Sequence, residues 1–263
     1  MINPRLIANV VPIGKREGFF NRAFNSRQRH FEKYFDSAPL LFAPGTRMVE
    51  LIVGCNICGQ IAINGFYELE LSRRVVELAR AGGTLLDVGA NVGYFSMLWC
   101  GNGAANKSIA VEASPRNQAL IARNCEANGF TQRVQLARCA AGNKKGEASF
   151  DFGPADQTGW GGIVANATSA PTMVRMERLD DIVGSQEISV LKIDIEGAEF
   201  FALQGAQRVL ARRSLKVVFF EENPYRMGLL GIAEGSVLEL LRGNGFVCTR
   251  FERSEMEWMA VRP

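Results

Sequence analysis

An α/β fold, built on a seven-stranded, mostly parallel sheet with helices on both faces, is the class this chain predicts. Five short apolar runs, Thr84–Val88, Ser108–Glu112, Val134–Arg138, Val190–Asp194 and Lys216–Phe220, are separated by helical or long connections, as the strands of parallel βαβ units are. Two more runs, Phe246–Phe251 and Glu257–Val261, close the chain as an antiparallel pair. The stretch LLDVGANVGYFS, Leu85 to Ser96, leads an apolar strand through an acid into a glycine-rich turn that a helical pattern continues.

Length and composition set the organisation. With 263 residues, 47% of them hydrophobic, and no long polar tract, the chain can bury one good-sized core plus an appendage. We divide it into an N-terminal extension over 1–64, a helix and hairpin and a candidate substrate lid, and one domain over 65–263. From Lys15 to Phe35, aromatic residues (Phe19, Phe20, Phe24, Phe31, Tyr34, Phe35) alternate with Arg and Lys. Such a helix can lie on a membrane surface, but amphipathic helices more commonly pack their apolar face on a core, and that reading is preferred. The single histidine, His30, falls here and reads as a solvated surface group. Met48 to Ile63 alternates enough to predict a β-hairpin around Gly54-Cys55-Asn56.

Several classes lose support. The net charge is +3 with the basic residues dispersed, whereas a dedicated nucleic-acid partner usually shows a concentrated basic face. No apolar run reaches the ~20 residues that span a bilayer, and the opening residues lack a cleavable leader pattern, so a cytoplasmic location is the expectation and the sequon Asn166-Ala167-Thr168 is expected to be idle. Of six cysteines, Cys55 and Cys58 form a C-x-x-C without a second zinc-spaced pair, which reads as buried free thiols. The sequence does not indicate an oligomeric state.

The chemistry starts at the glycine turn. Gly89 and Gly93 lack a Cβ, so the backbone can turn sharply and a ligand can come close to the peptide groups. The carboxyl end of the strand is where open α/β sheets bind ligands, and the following helix aims its free N–H groups there. A dinucleotide fingerprint, G-x-G-x-x-G, does not fit, because Asn91 and Tyr94 stand where its second and third glycines belong. Glu112, at the tip of the next strand and 25 residues after Asp87, is placed to accept hydrogen bonds from the two hydroxyls of a ribose.

Further along, helices are predicted at Pro115–Ala127, Gly197–Arg212 and Ser236–Asn244, and a glycine-rich loop at Asp151–Met173 contains Trp160, which either stacks on a ring or anchors in the core. Asp194 and Glu196 at one strand end and Glu221-Glu222 at the next could serve as general bases or as oxygen ligands for a divalent ion, the metal being the less favoured role. Lys192 reads equally well as a structural partner for one of these acids. Glu222-Asn223-Pro224-Tyr225 superficially resembles the Asn-Pro-Pro-Tyr of amino-group methyltransferases but lacks the second proline.

D-x-G-x-x-x-G at Asp87–Gly93 is similar to motif I of the S-adenosylmethionine (SAM)-dependent methyltransferases. With GFYELE (Gly65–Glu70), RLDDI (Arg178–Ile182) and VLKIDIEGAEF (Val190–Phe200), the chain from about Gly65 to Arg250 resembles the FkbM family. The resemblance implies a class I methyltransferase Rossmann-like fold and SAM as cofactor. It implies O-methylation of a sugar or natural-product hydroxyl, with a small-molecule or glycosylated acceptor. It would place Asp87, Gly89, Ala90, Asn91 and Gly93 at the methionine half of SAM, Glu112 at the ribose, and Ala113, Ser114 and Ala140 at the adenine. Glu68 would meet the ammonium group, and Asp194 would lie beside the methyl group, where it would take the hydroxyl proton; Glu196 and Glu221 complete the candidate catalytic set. N-methylation of a small amine, or a silent SAM-binding interaction module, are the rival readings, and His30 is the rival base.

Overall fold

The computed structural model describes residues 3–165, 172–252 and 254–263; the sequon at 166–168 lies outside them. The extension holds α1 (Pro4–Val10), α2 (Arg16–Ala23), a 3₁₀ stretch over Asn25–Tyr34, the paired strands β1 (Ser37–Pro39) and β2 (Arg47–Val49), and α3 (Asn56–Asn64). α4 (Leu69–Ala79) leads into β3 (Thr84–Val88), α5 (Tyr94–Gly101), β4 (Lys107–Glu112), α6 (Pro115–Asn128) and β5 (Val134–Arg138). Next come four short strands, β6 (Ala140–Ala141), β7 (Gly146–Asp151), β8 (Gly162–Ile163) and β9 (Thr172–Glu177), then α7 (Leu179–Val183), β10 (Val190–Ile193), α8 (Glu199–Gln204) and α9 (Gln207–Leu210). The chain ends with β11 (Val217–Glu221), α10 (Pro224–Leu229), α11 (Ser236–Gly243), β12 (Val247–Arg250) and β13 (Glu257–Val261).

The predicted seven-stranded sheet forms, in the order β12-β13-β11-β10-β3-β4-β5. All neighbours are parallel except β13, which runs antiparallel to both β11 and β12. The order reverses between β3 and β10, since the chain first builds outward from β3 through β4 to β5 and then returns to β3's other side. That switch point is where open α/β sheets leave a crevice. β3 and β10 are buried on both faces, so their side chains alternate between two cores. One core gathers Leu85, Trp99, Ile121 and Phe219; the other gathers Leu86, Leu191, Leu203 and Phe220. α6 shows how local signals set an element: Ser114 holds the extended N-cap position, Pro115 opens the first turn, and Gly129 ends the helix at φ 66°.

Three expectations are corrected. Residues 48–63 are not a hairpin: only Arg47–Val49 is strand, paired with β1, and 56–64 is α3. Cys58, Ile61 and Ala62 recur at helical spacing and are buried, Cys55 Sγ caps the helix by accepting from Cys58 N, and Gly65 terminates it at φ 76°, so the 3.6-residue period prevails over the weaker alternation. The single helix predicted over 197–212 breaks into α8 and α9 at Gly205-Ala206. A Cβ on Gly205 would lie 2.1 Å from the Gly142 carbonyl, so the neighbouring strand crowds the helix there. The basic aromatic segment likewise divides into α2 and the 3₁₀ stretch, where Arg27 and Phe31 leave helical geometry; Phe20 and Phe24 pack with Ala8 and Ile63.

The 151–173 region, read as loop, contains the end of β7, β8 and the start of β9. These belong to a second sheet of order β6-β9-β7-β8.

Among the described residues, no helix is long and apolar enough to cross a membrane.

Candidate active site

A cleft of about 1010 Å³, counting the solvent-open space at its mouth, lies over the carboxyl ends of β3, β4 and β10. Its floor is the glycine turn. Gly89 adopts φ 73°, and its N–H and that of Ala90 donate to the Val111 carbonyl at 2.9 and 3.1 Å. A Cβ on Gly89 would stand 1.9 Å from the Asp194 carbonyl oxygen, so this position has no room for any side chain.

Glu112 comes up beside the turn. Its Oε2 accepts from Asn91 N and its Oε1 from Ser114 N, both at 2.8 Å. Burial raises its pKa to about 7, and the two amide donors offset only part of that rise. Each oxygen keeps a lone pair toward the cleft. Three residues other than glycine that line the cleft, Glu68, Asn91 and Glu196, have positive φ of 47°, 54° and 58°. Strained backbone of this kind collects at functional sites.

On the β10 side lies a carboxylate cluster around one cation. Buried Lys192 reaches Asp194 Oδ2 at 3.1 Å and the Gly89 carbonyl at 3.4 Å. Burial works against its ammonium form, but Asp194, Asp87 and Glu68 more than offset this and its pKa is raised. Glu196, loosely paired with Arg226 at 3.4 Å, has its pKa raised to about 7, first by burial and then by Asp194. Glu221 is raised to about 8 by burial, Asp194 and Glu196. Glu68, half-buried near Asp194 and Glu257, is raised well above the ordinary carboxylate range by desolvation and by those two charges. A cationic ligand at this end would favour the ionised form of these raised carboxyl groups, so the cluster suits one.

Of the predicted residues, Glu68, Gly89, Ala90, Asn91, Glu112, Ala113, Ala140, Asp194, Glu196 and Glu221 line the cleft together. Asp87, Gly93 and Ser114 do not. Asp87 is fully buried, its Oδ2 accepting from Ser96 N at 3.1 Å and from Ser96 Oγ at 2.6 Å; it ties the tip of β3 to α5. A Cβ on Gly93 would meet Ile121 at 3.2 Å, so that glycine serves the packing of the helix start. Ser114 gives its backbone N–H to Glu112 and keeps its side chain out of the cleft. His30 is exposed on the 3₁₀ stretch and lines neither this cleft nor its neighbour. Cys55 and Cys58 are buried free thiols. Among the described residues, no group of three or more His, Cys, Asp or Glu side chains is arranged to hold a metal.

Sequence reasoning missed several lining residues, among them Tyr67, Asn117 and Thr158. Asn117 Nδ2 donates to the Thr158 carbonyl at 3.1 Å, while its Oδ1 is buried and has no protein partner, which suits a ligand donor. The density of glycines around Thr158 was a signal for the loop; nothing local marked Asn117. The RLDDI segment is structural: Asp180 accepts from Arg208 N and Val209 N at 3.0 and 2.9 Å, docking α7 on α9 away from the cleft. Asn223 likewise caps α10 by accepting from Arg226 N.

The methyltransferase FkbM domain profile matches residues 87–248. The chain belongs to the FkbM methyltransferase family. It has the class I fold of such enzymes, a seven-stranded mostly parallel sheet. Among solved structures it is similar to an FkbM methyltransferase from Methylobacillus flagellatus KT (17% identity, TM-score 0.48, covering 68% of this chain and 43% of that one). It is also similar to a precorrin-6y C5,15-methyltransferase from Geobacter metallireducens GS-15 (12%, 0.45, 75% and 90%) and to the B. subtilis M1A22 tRNA methyltransferase TrmK (11%, 0.45, 72% and 63%). The chain thus spans less than half the length of the Methylobacillus protein. No curated protein matches it significantly.

The site residues fit SAM. Glu112 offers two buried acceptor oxygens, Asn117 an unpartnered one, and the cluster around Lys192 several carboxyl groups at the β10 side of the same cleft.

Proposed function

We propose that this FkbM-family protein is a SAM-dependent O-methyltransferase acting on a hydroxyl of a sugar or natural-product-type small molecule. The observation that carries this reading is the carboxylate cluster around Lys192, set directly across from the Gly89 turn.

SAM, when bound, supplies a methyl group already activated on a sulfonium. Gly89, Ala90 and Asn91 would cradle its methionine half, with Glu68 at the ammonium, Glu112 at the ribose hydroxyls, and Ala113 and Ala140 along the adenine. Asp194, held by Lys192, would orient the reacting end. Glu196 would accept the acceptor's proton as the O–C bond forms and the C–S bond breaks: it lines both the cleft and the groove beside it, and its pKa of about 7 suits a base at neutral pH. Burial and the charge of Asp194 raise that basicity, and Glu221 lines the cleft at the next strand end. Holding acceptor and methyl group in line can supply up to ~7–11 kcal/mol of the barrier reduction. A small neutral acceptor is favoured over a nucleic acid because, among the described residues, Lys192 is the one Lys or Arg lining cleft and groove, and it is already paired.

Incubation with methyl-labelled SAM and a panel of sugars, phenols, amines and RNA tests the reading. Label is expected on oxygen of a small molecule; label only on nitrogen or on RNA would overturn the acceptor assignment. S-adenosylhomocysteine should raise the melting temperature while NAD does not, and the reverse would overturn the cofactor assignment.

A further inference from the structure

A second groove, of about 960 Å³, runs outward from the cleft, and Ile57, Tyr67, Gly159 and Glu196 line both. Its walls come from two distant parts of the chain: Asn25, Gly54 and Asn56 of the extension, and Pro154, Gln157 and Trp160 of the β7–β8 loop.

These walls are tied to one another. Gln157 Nε2 donates to the Gly54 carbonyl at 3.0 Å, Asn56 N donates to Gln157 Oε1 at 3.4 Å, and Gly54 N donates to Gln28 Oε1 at 2.8 Å. From below, Arg116 holds the loop through the Pro154 and Gln157 carbonyls at 3.3 and 2.7 Å. Where groove and cleft meet, only glycine fits at 159: a Cβ there would stand 2.7 Å from Ile57 Cδ1 and 3.3 Å from Asn91 Nδ2.

The lining has a definite chemistry. Trp160 is 60% exposed, although a large aromatic ring in a folded chain is normally much better covered. Asn25 and Asn56 line the groove with it, as does Gln157, whose amide is spent on Gly54 and Asn56; among the described residues Glu196 is the one carboxylate and no Lys or Arg lines the groove. Amides donate to and accept from hydroxyls, an indole face takes the apolar face of a ring, and a phosphate would find no cation here.

We infer that this groove is the acceptor subsite, with Trp160 as a specificity-determining platform on which a neutral, hydroxylated ring stacks while one of its hydroxyls reaches Glu196, which lines groove and cleft alike. The inference rests on the methyl-transfer reading and goes beyond it by locating recognition in the pairing of the extension with the β7–β8 loop.

The test is isothermal titration calorimetry of the full chain saturated with S-adenosylhomocysteine, against methyl glycosides of neutral hexoses, adenosine monophosphate and tRNA. At least one neutral glycoside should bind saturably, about tenfold more weakly to Trp160→Ala and within about twofold of wild type to Trp160→Phe, which restores a ring. An exposed substitution ordinarily leaves the fold intact, so the S-adenosylhomocysteine melting shift of Trp160→Ala should equal that of wild type. For a glycoside that is turned over, Trp160→Ala should raise KM and leave kcat within about twofold. Binding of no glycoside, equal binding by Trp160→Ala, or binding of the nucleotide or tRNA in the glycosides' place would overturn the subsite while leaving methyl transfer intact. Absence of S-adenosylhomocysteine binding to the wild type would overturn both.

Discussion

A methyl group on Gly89 would collide with the backbone of Asp194: the ideal Cβ position lies 1.9 Å from the Asp194 carbonyl oxygen. The glycine turn after β3 and the acidic turn after β10 are thus pressed backbone to backbone, and neither can shift without the other. Gly89→Ala should therefore destabilise the fold by several kcal/mol, since a left-handed residue already costs ~1–3 kcal/mol and the obstacle is main chain. Gly129→Ala is the control: its φ is 66° but nothing lies within 4 Å of the added Cβ, so only a cost of about 1 kcal/mol is expected. Chemical denaturation of both variants measures the difference, and equal losses would refute the crowding argument.

Glu112 binds two backbone amides before any ligand arrives. In Glu112→Gln, the side-chain amide can accept at one of those positions but opposes a donor at the other. We expect S-adenosylhomocysteine affinity to fall at least tenfold, with a stability loss of ~1–3 kcal/mol for the unsatisfied N–H. Calorimetric titration alongside thermal melting separates the two effects; unchanged affinity would remove Glu112 from the ribose site.

The site's carboxylates also predict how stability varies with pH. Glu112, Glu196 and Glu199 are each raised to about 7 and Glu221 to about 8, in every case first by burial. A folded-state pKa above the unfolded value means that the native protein binds more protons between those limits, so its stability is full below about pH 4.5 and is lost as pH rises through 7 to 8. The ligand-free melting temperature should accordingly fall between pH 5.5 and pH 8.5, roughly those bounds. A melting temperature that rose across this range would contradict the burial of these groups.

Asp194 and Glu196 should behave differently when neutralised. Asp194→Asn leaves the Lys192 ammonium, which has 5% of its side chain exposed, without its nearest counter-charge. Both stability and turnover should drop, because breaking a buried pair from one side is costly. Glu196→Gln removes a carboxylate with a weaker, 3.4 Å partner. It should stay folded and bind S-adenosylhomocysteine while losing ~10²–10⁴ in rate. Single-turnover assays with matched melting curves check this, and full activity in Glu196→Gln would return the base role to Asp194.

Much of the central sheet was legible because its strands are short, apolar and spaced by helices, and burial on both faces leaves that pattern little freedom. The turn at Gly89 and the acid at Glu112 were legible because their chemistry depends on local spacing. The site's second half was not. β7 and β9 pair Glu147 with Arg175 and Ala148 with Val174, a register set by residues nearly thirty apart, and Thr158 reaches the cleft only because of it. The role expected of Asp87 shows a further limit. Sequence places it at a strand tip, but its side chain turns under the turn to Ser96 rather than over it toward ligand, a choice made by packing.

The extension's apolar residues have an order-of-synthesis consequence. Phe35, Met48, Leu51 and Ile61 share one core with Trp99, Ile121 and Phe219. They leave the ribosome before those partners exist, and the local pairing of β1 with β2, three residues each, covers little of them. The apolar side chains of residues 35–61 must therefore stay uncovered until α5 and α6 have been made, and two further partners, Phe219 and Phe251, are made later still. Long-range closure of this kind slows folding and favours aggregation in the interval. Slowed translation between α3 and α5 would lengthen that exposed interval, and a chaperone that holds unfolded chains would find its natural target in residues 35–61.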